Sequence, residues 1–312
     1  MTPSANRLFA YGCLVLGMSL TGSYVALSKP LVAVLPVFLL SWMRFGVAAV
    51  AMITWLKKPA HEAPLTSRVK SLIFLESFLG NFLFSICMLY GVSKTSAVSA
   101  GVVMASIPAV IALMSWLFLR EHIGARMWAA AGCAVVGLGV LALSRPTRGV
   151  AGADTSGQWL GNLLVFGAVV CEAAYAVIGK KLTGILGPKR ISSLINLWGL
   201  ALMTPFGLYV ALDFNFSAVQ PGIWLLLIFY GLSASVVSVW LWMTGSKRLP
   251  SAHSGIFTVM LPISAALVGV LVLGETMTGL QVAALTIALL GIALTWHHDP
   301  VKSPLGKTSG SR

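Results

Sequence analysis

Ten apolar stretches of about twenty residues each follow one another along the chain, with only short polar segments between them. Hydrophobic residues make up 58% of the 312 residues and charged residues 9%, against about a quarter in an ordinary soluble domain. The runs are continuous rather than alternating in polarity, which favours membrane-spanning helices over barrel strands. We therefore predict an all-α membrane protein with ten transmembrane helices, at residues 7–28, 35–56, 70–92, 96–119, 126–144, 158–179, 190–212, 221–244, 251–273 and 279–296.

Lysine and arginine residues are spread unevenly over the connecting segments. With a cytoplasmic N-terminus, the inside segments carry 16 of the 21 basic residues and the outside segments carry 4, while Arg44 lies within helix 2. Cytoplasmic loops are enriched in these residues, so we predict that both termini are cytoplasmic. The net charge of +13 does not indicate nucleic-acid binding, because the basic residues sit in short gaps rather than in one stripe.

The sequence carries no pattern typical of a metal site or an enzyme. Its cysteines, Cys13, Cys87, Cys133 and Cys171, lie within apolar runs without CxxC or Cys/His spacing, so we expect no metal and no cofactor. HExxH, GxSxG and paired-carboxylate patterns are missing, and the outside loops are too short for a catalytic domain. A channel is disfavoured because nothing resembles a selectivity filter or a charged ring.

An internal repeat relates the two halves of the chain. When "SIPAVIALMSWLFLREHIG" is placed above "MLPISAALVGVLVLGETMT", Pro108 aligns with Pro262 and Glu121 with Glu275, an offset of 275 − 121 = 154 residues. Earlier in the halves the offset is 151, and Tyr24 aligns with Tyr175. We predict a first five-helix repeat at 1–143, a linker at 144–157, a second repeat at 158–297 and a disordered cytoplasmic tail at 298–312.

Because five is odd, the second repeat must enter the membrane from the side opposite to the first. Inverted repeats of this kind are typical of secondary transporters, in which two packings of the halves open a central site to one side or the other. Glu121 is then expected at the cytoplasmic face and Glu275 at the external face. Glu275 also precedes Thr278 and Gln281 in capping-box spacing, so we predict that its charge stabilises the N-terminus of helix 10.

The closing segments of helices 4 and 9, "IPAVIALMSWLFLRE" and "LPISAALVGVLVLGE", together with "SWMRFGVAA" in helix 2, resemble the EamA family of the drug/metabolite transporter superfamily. The resemblance covers about residues 10 to 296 and extends to bacterial amino acid exporters, including those for aromatic amino acids. It implies a multi-pass protein of the bacterial inner membrane that exports a small molecule by alternating access. We expect the lipid bilayer and this substrate as partners, and a monomer or weak dimer.

Ionisable residues at membrane depth are costly and therefore functional candidates. Glu172 lies eight residues before Lys180 and is the main candidate for coupling transport to protons. The alternative is a carboxyl group that hydrogen-bonds a neighbouring helix. Arg44 could bind a substrate carboxylate, although an arginine here is also usual in the family and would then tie helix 2 to a neighbour. Glu76, nearer the cytoplasmic side, is expected to snorkel to the membrane surface or to pair with a loop cation.

Polar and aromatic side chains at equivalent places of the two halves are the candidates for substrate binding. They include Thr21 and Tyr24 on helix 1, with Tyr175 on helix 6, and a polar strip on each of helices 3 and 8. The alternative is hydrogen bonding between helices. The remaining candidates are Asn81, Ser85 and Tyr90 on helix 3, Ser235, Ser238, Trp240 and Trp242 on helix 8, and His253 at the start of helix 9.

Two prolines lie inside predicted helices. Pro108 in helix 4 and Pro262 in helix 9 each remove a backbone hydrogen bond. We expect helix bends there, which either widen a central cavity or are static kinks.

For His253, the alternative to substrate binding is a contact that caps a helix or lies in a loop.

Two functions fit these features. The first is export of small amphipathic metabolites, with aromatic or hydrophobic amino acids favoured, because Arg44 alone supplies too little positive charge for a phosphorylated substrate. The second is proton-coupled export of lipophilic cations through Glu172, which is similar to the glutamate in the first helix of smaller multidrug relatives.

Overall fold

The structure, a computed structural model, describes residues 3–58, 64–119, 125–143, 155–246 and 257–294. Within these ranges the chain is helical except for turns and short connections, and no strand occurs in them. The α-helices are α1 Pro3–Val32, α2 Val37–Ala51, α3 Ser67–Ser77, α4 Phe84–Lys94, α5 Ala97–Met104, α6 Ile107–Leu119, α7 Ala125–Ala142, α8 Thr155–Thr183, α9 Pro188–Leu212, α10 Pro221–Leu232, α11 Ser238–Ser246, α12 Met260–Leu271 and α13 Gly279–Leu294.

In the part of the chain that the structure describes, six helical segments are long and apolar enough to cross a membrane, and four shorter apolar helices accompany them. Three of the six are continuous runs formed by two α-helices each: Ser67–Lys94, Ala97–Phe118 and Pro221–Gly245. The shorter ones are Val37–Ala51, Trp128–Leu141, Phe257–Leu271 and Gly279–Gly291. Each apolar run marked in the sequence is therefore helical where the structure describes it, which confirms the all-α class of this membrane protein.

The first helix is longer than the sequence predicts. It was expected to end at residue 28, before Lys29 and Pro30, but α1 continues to Val32 with Pro30 inside it. A proline removes only its own N–H from the helical ladder, and apolar helices tolerate this when neighbours support the turn. Lys29 consequently lies in the last turn of α1, where the helix dipole favours a positive charge.

Short π-helical segments interrupt two of the long runs at equivalent positions. Phe78–Leu83 joins α3 to α4, and Ser233–Val237 joins α10 to α11. Asn81 and Ser235, which are 154 residues apart, lie inside these segments. A π segment inserts extra backbone into a helical turn and is frequent at functional sites. The polar residues of the two runs therefore stand where the helix geometry changes.

The predicted bends fall near breaks in helical structure. Residues Ala105 and Ser106 form a turn between α5 and α6, and Pro108 is the second residue of α6. Pro262 is the third residue of α12, which follows a single 3-10 turn, Phe257–Val259. Proline is well suited to the first turn of a helix because the N–H groups there have no intrahelical acceptor.

Small residues allow several helices to approach closely. A side chain on Gly91 of α4 would place its Cβ 2.7 Å from Val165 of α8, and one on Gly245 of α11 would place its Cβ 2.7 Å from Leu14 of α1. Similarly, Gly137 of α7 faces α13, and Gly291 of α13 faces α7. These contacts come in pairs related by the offsets of the sequence repeat.

Large apolar side chains cover much of the outer surface as well as the core. Val50, Leu212, Leu225 and Leu271 each expose at least 70% of their area. In a bilayer such side chains contact lipid. The side chains buried inside the protein include the central cluster around Leu39, Leu40 and Leu89 and several polar residues.

Candidate functional site

Aromatic rings and a guanidinium group meet at the centre of the helix bundle. The rings of Tyr24 on α1 and Tyr230 on α10 pack edge to face, with centroids 5.7 Å apart. The Cζ atom of Arg44 on α2 lies 5.7 Å from the Tyr230 centroid and 4.2 Å from that of Phe45. All of these side chains are buried, so the aromatic faces partly replace water around the positive charge.

Arg44 has one side-chain partner and one free donor. Its Nη2 donates to Ser85 Oγ of α4 at 2.7 Å, and that hydroxyl donates to the Asn81 carbonyl at 2.5 Å. Its Nε has no hydrogen-bond partner in the described part of the chain, although the residue is only 4% exposed. A buried arginine donor without an acceptor is costly, so Arg44 both ties α2 to α4 and retains the capacity to bind an anion.

Glu172 of α8 lies close to this cluster. It is half-buried, and it interacts electrostatically with both Tyr24 and Tyr175. Arg44 also interacts electrostatically with Tyr24, but no ion pair joins Arg44 to Glu172 among the described residues. Groups of opposite charge therefore both act on the Tyr24 phenol, and no ion pair joins them in this part of the chain. Thr21, which the repeat aligns with Glu172, donates to the Gly17 carbonyl at 2.9 Å.

The polar strips of helices 3 and 8 are used in contacts between helices. Ser77 Oγ and Asn81 Nδ2 both donate to the Ile195 carbonyl of α9, at 2.7 and 2.9 Å. Asn196 of α9 donates to the Ser235 carbonyl at 3.3 Å. These bonds match the alternative reading of the strips as interhelical hydrogen bonds. The Ser235 hydroxyl is nevertheless buried without a partner in the described residues.

The other residues predicted for substrate binding lie in different surroundings. Ser238 Oγ donates back to the Ala234 carbonyl at 3.4 Å, and Tyr90 packs edge to face on Phe38 at 6.2 Å. Trp242 packs between the two largest apolar clusters, and Trp240 is half-buried. His253 and Glu121 lie outside the described residues. The structure thus gathers Tyr24, Tyr175 and Glu172 near Arg44, and leaves Tyr90 in an aromatic contact away from this group.

Glu275 does not do what the sequence spacing predicts. The capping box between Thr278 and Gln281 is present, with bonds of 2.9 and 3.3 Å, but Glu275 points to other elements. Its carboxylate accepts from the backbone N–H groups of Ala97 and Val98, at 2.9 and 3.1 Å, and from Lys29 Nζ at 2.5 Å. The expected role at the N-terminus of α13 is therefore wrong, because the carboxylate caps α5 instead.

The backbone before Glu275 explains this direction. Gly274 has a positive φ of 66°, which turns the chain back, and the Glu275 N–H donates to the Gly269 carbonyl at 2.9 Å. A Cβ on Gly269 would lie 3.1 Å from Glu275 Oε2. Two glycines thus let the carboxylate reach the positive end of α5, where free N–H groups favour an anion.

Sequence reasoning omitted Tyr230, although the repeat could have found it. The offset of 154 aligns Tyr230 with Glu76, and the offset of 151 aligns Tyr24 with Tyr175. The repeat therefore relates the Tyr24–Tyr230 contact between the halves to a second pair between the halves, Tyr175 and Glu76, and Tyr175 does interact electrostatically with Glu76. A search for polar and aromatic partners through the repeat would have placed all four residues in one set.

Glu76 was expected to snorkel or to pair with a loop cation, and among the described residues it does neither. It is fully buried, and neither carboxyl oxygen has a hydrogen-bond partner among the described residues. The hydroxyl of Tyr175 is likewise buried and unpartnered. Buried polar atoms normally find partners, so these exceptions concentrate around the central cluster. No group of acidic, histidine and cysteine side chains that could hold a metal ion occurs in the described part of the chain.

Comparisons with known proteins identify the family of this chain. The model of the EamA-like transporter family matches residues 8–143 and 159–296. The chain is 32% identical over 292 residues to the uncharacterized transporter YetK of Bacillus subtilis (strain 168), covering 93% of this chain and 87% of that protein. It is 30% identical over 145 residues to the threonine/homoserine exporter RhtA of Salmonella typhimurium (strain LT2), covering 45% and 47% of the two chains.

A solved crystal structure shares the fold. It superposes with a TM-score of 0.59 at 18% sequence identity and covers 93% of this chain and 96% of its own. The two matches to the family model cover nearly the whole chain, and the apolar helices long enough to cross a membrane lie almost entirely within them. The protein is a multi-pass membrane transporter that belongs to the EamA-like transporter family.

Proposed function

We propose that this transporter exports small amphipathic metabolites, with aromatic or hydrophobic amino acids favoured, across the bacterial inner membrane. The observation that carries this proposal is that Arg44 and Glu172 both interact electrostatically with Tyr24, while no ion pair joins them among the described residues. An amino acid is a zwitterion, so its carboxylate suits the guanidinium and its ammonium suits the carboxylate. The tyrosines around them supply aromatic surface for an apolar side chain.

The relative with a printed substrate supports the same class of cargo. RhtA is a threonine/homoserine exporter, and its similarity to this chain extends over 145 residues. The buried aromatic rings of Tyr24, Tyr175 and Tyr230 favour a larger and less polar side chain than that of threonine. We therefore place phenylalanine, tyrosine, tryptophan and leucine first among the substrates to test.

Alternating access between two inverted repeats is the mechanism that we propose. The repeat offsets relate the two π segments and the close glycine contacts of one half to those of the other. The bias of basic residues favours cytoplasmic termini and ten membrane crossings, with repeats at 1–143 and 158–297, a linker at 144–157 and a tail at 298–312. The bilayer, a small-molecule substrate and protons are the proposed partners of a monomer or weak dimer.

Transport in proteoliposomes tests the substrate. Uptake of a panel of radiolabelled amino acids is measured with and without a pH gradient, using wild type, Arg44→Gln and the exposed control Lys70→Gln. We expect uptake of apolar amino acids by wild type, and a KM raised about tenfold or more by Arg44→Gln because a charge-assisted contact is lost. Lys70→Gln is expected to behave as wild type. Absence of flux for every amino acid would contradict the proposal.

The second candidate is proton-coupled export of lipophilic cations through Glu172. Its half-buried carboxyl group beside Tyr24 and Tyr175 offers an anion and aromatic faces to a cation. Uptake of a radiolabelled lipophilic cation, measured in the same vesicles, separates the two. Amino acid accumulation under a pH gradient that persists in Glu172→Gln would exclude proton coupling through this residue. Cation flux that disappears in that variant, with no amino acid flux in wild type, would replace our first proposal.

A further inference from the structure

Glu76 of α3 is a carboxyl group without a partner inside the protein. The residue is fully buried, and both of its carboxyl oxygens lack a hydrogen-bond donor among the described residues. Removing an ionised carboxylate from water costs several kcal/mol even after relaxation, unless a cation or donors compensate. A carboxyl group in this setting is stable as the neutral acid, so it holds a proton.

A glycine of α8 packs directly against the Glu76 carboxyl. A Cβ on Gly179 would lie 2.8 Å from Glu76 Oε1 and 3.8 Å from the methyl group of Met243. Tyr175, one turn before Gly179, places its unpartnered hydroxyl in the same buried region. The surroundings of Gly179 therefore combine the Glu76 carboxyl, the Tyr175 phenol and the apolar side chain of Met243 from α11.

Among the described side chains, no charged group on the elements around α3 pairs with the Glu76 carboxyl. On α9, Lys189 stacks over Trp55 at 5.5 Å and Arg190 donates to the Leu56 carbonyl. Arg68 and Lys70 of α3 and Lys181 of α8 are exposed. The π segment and α11 present no titratable side chain here, and α8 presents Tyr175 with Glu172 beyond it. Among the described side chains, Glu76 is thus shielded from every cation.

Tyr175 connects the surroundings of Glu76 to the proposed substrate site. Its phenol interacts electrostatically with Glu76, Glu172 and Tyr24. The repeat adds a comparison, because the place of Glu76 is taken in the other half by Tyr230, which packs on Tyr24. At this position the second half therefore carries a tyrosine in an aromatic contact, whereas the first half carries an acid that can gain or lose a proton.

We propose that Glu76 is a proton-binding site of the transporter, which takes up one proton and releases it again in each transport cycle. An O–H bond forms at a Glu76 carboxyl oxygen when hydronium from water on one side gives up its proton. The same bond breaks when opening of the contact between α3 and α8 admits water, which accepts the proton on the other side. Glu76, rather than Glu172, then couples transport to the pH gradient; this inference rests on the transport function proposed above.

Two transport measurements test the coupling in proteoliposomes containing the full chain. Exchange of the amino acid that wild type carries is measured without a gradient, and its accumulation is measured under an imposed pH gradient. We expect Glu76→Gln to retain exchange within about twofold of wild type and to lose accumulation above equilibrium. Accumulation at the wild-type level would overturn the proposal, and so would loss of exchange together with accumulation, because Glu76 would then serve the cycle in another way.

An infrared measurement tests the proton itself and does not depend on the substrate. We expect the spectrum of purified wild type at neutral pH to contain the C=O band of a protonated carboxyl group that is missing from Glu76→Gln. Identical spectra in this region would overturn the proposal, even if amino acids are transported. Conversely, a vanished band together with no amino acid flux in wild type would refute the proposed function and leave the proton site intact.

A glycine variant covers the case in which Glu76→Gln is not recovered as folded protein. Gly179→Ala adds a methyl group next to Oε1, whereas Gly46→Ala on α2 has no atom within 4 Å of the new Cβ. We expect Gly179→Ala to shift the carboxyl band and Gly46→Ala to leave it in place. A band that is unchanged in both variants would show that it does not arise from Glu76.

Discussion

Glu275 and Glu76 are both carboxyl groups in a protein with only eight acidic residues, yet the fold treats them differently. Glu275 receives hydrogen bonds from Lys29 and from two backbone N–H groups of α5. Glu76 receives none among the described residues. An acid whose acceptors are all used holds helices together. An acid that is buried without donors weakens the fold, and such positions are retained where a function needs them.

The network around Glu275 joins distant parts of the chain. Lys29 belongs to α1, Ala97 and Val98 begin α5, and Glu275 follows α12. The region around Glu76 instead contains the unpartnered hydroxyl of Tyr175. Donors from other helices therefore meet at Glu275, whereas the Glu76 carboxyl receives none among the described residues.

Removal of the Glu275 carboxylate should have the largest effect on stability. In Glu275→Ala, Lys29 loses its partner and the N-terminus of α5 loses two acceptors, at a cost of about 3 kcal/mol. The midpoint of thermal unfolding in detergent should fall by about 6 °C or more. The exposed acid Asp213 provides the control, and Asp213→Ala should shift the midpoint little. Equal midpoints for both variants would remove the contrast with Glu76.

Removal of the Lys29 charge should cost less. Lys29→Met leaves Glu275 bonded to the two N–H groups, and the pair is partly exposed, at 25% and 11% of the two side chains. We expect a loss of about 1 kcal/mol, because solvent screens such pairs. The exposed Lys94→Met serves as the control.

Exchange of the two charges separates the ion pair from the cap. In Lys29→Glu/Glu275→Lys the pair can form again, but lysine has no acceptor for the N–H groups of α5. Stability should therefore remain well below wild type and near that of Glu275→Ala. Full recovery in the double variant would show that the ion pair, and not the cap, holds this end together.

The capping box of α13 should make a further, moderate contribution. Gln281 is fully buried, accepts from the Thr278 N–H and donates to Ser99 at 3.1 Å. Gln281→Ala should cost about 1 to 2 kcal/mol, as for the loss of a cap. Gln220→Ala is the matched control, since Gln220 is exposed and makes no side-chain cap. Thermal unfolding midpoints of the two variants check this difference.

Replacement of Glu76 by an apolar residue should have the smallest effect on stability, and of the opposite sign. Leucine has a similar volume and no polar atoms to leave unpaired, so Glu76→Leu should be neutral or stabilising by about 1 kcal/mol. It should also abolish accumulation under a pH gradient. A clear loss of stability in Glu76→Leu would mean that the carboxyl group has partners, and the contrast with Glu275 would fail.

The apolar runs specified the helices well. Predominantly apolar segments such as 190–212 are helical in a bilayer because their backbone groups must pair within the segment, and α9 ends at the predicted residue, Leu212. The end of α1 was misplaced because a proline usually ends a helix in water, whereas α1 continues through Pro30 to Val32. The break before Pro108 followed from local chemistry, since the missing N–H is a property of the residue itself.

Only part of the candidate site could be predicted from the sequence. Tyr24, Tyr175, Arg44 and Glu172 stand out as polar or charged residues at membrane depth, and the structure brings them together. Tyr230 was missed because a tyrosine in an apolar run resembles an interfacial residue. Asn81 was predicted, but its bond to the Ile195 carbonyl depends on the crossing of α9.

The sequence by itself determined that this chain is a bundle of apolar helices, with repeated halves and a bias of basic residues, because these are properties of composition and spacing. Only the tertiary structure decided which polar groups are satisfied. Glu275 meets Lys29 across 246 positions of the chain, and Ala97 across 178. Whether a carboxyl group acts as a cap or remains unpartnered depends on donors brought in by other helices, and no local pattern around Glu275 or Glu76 contains them.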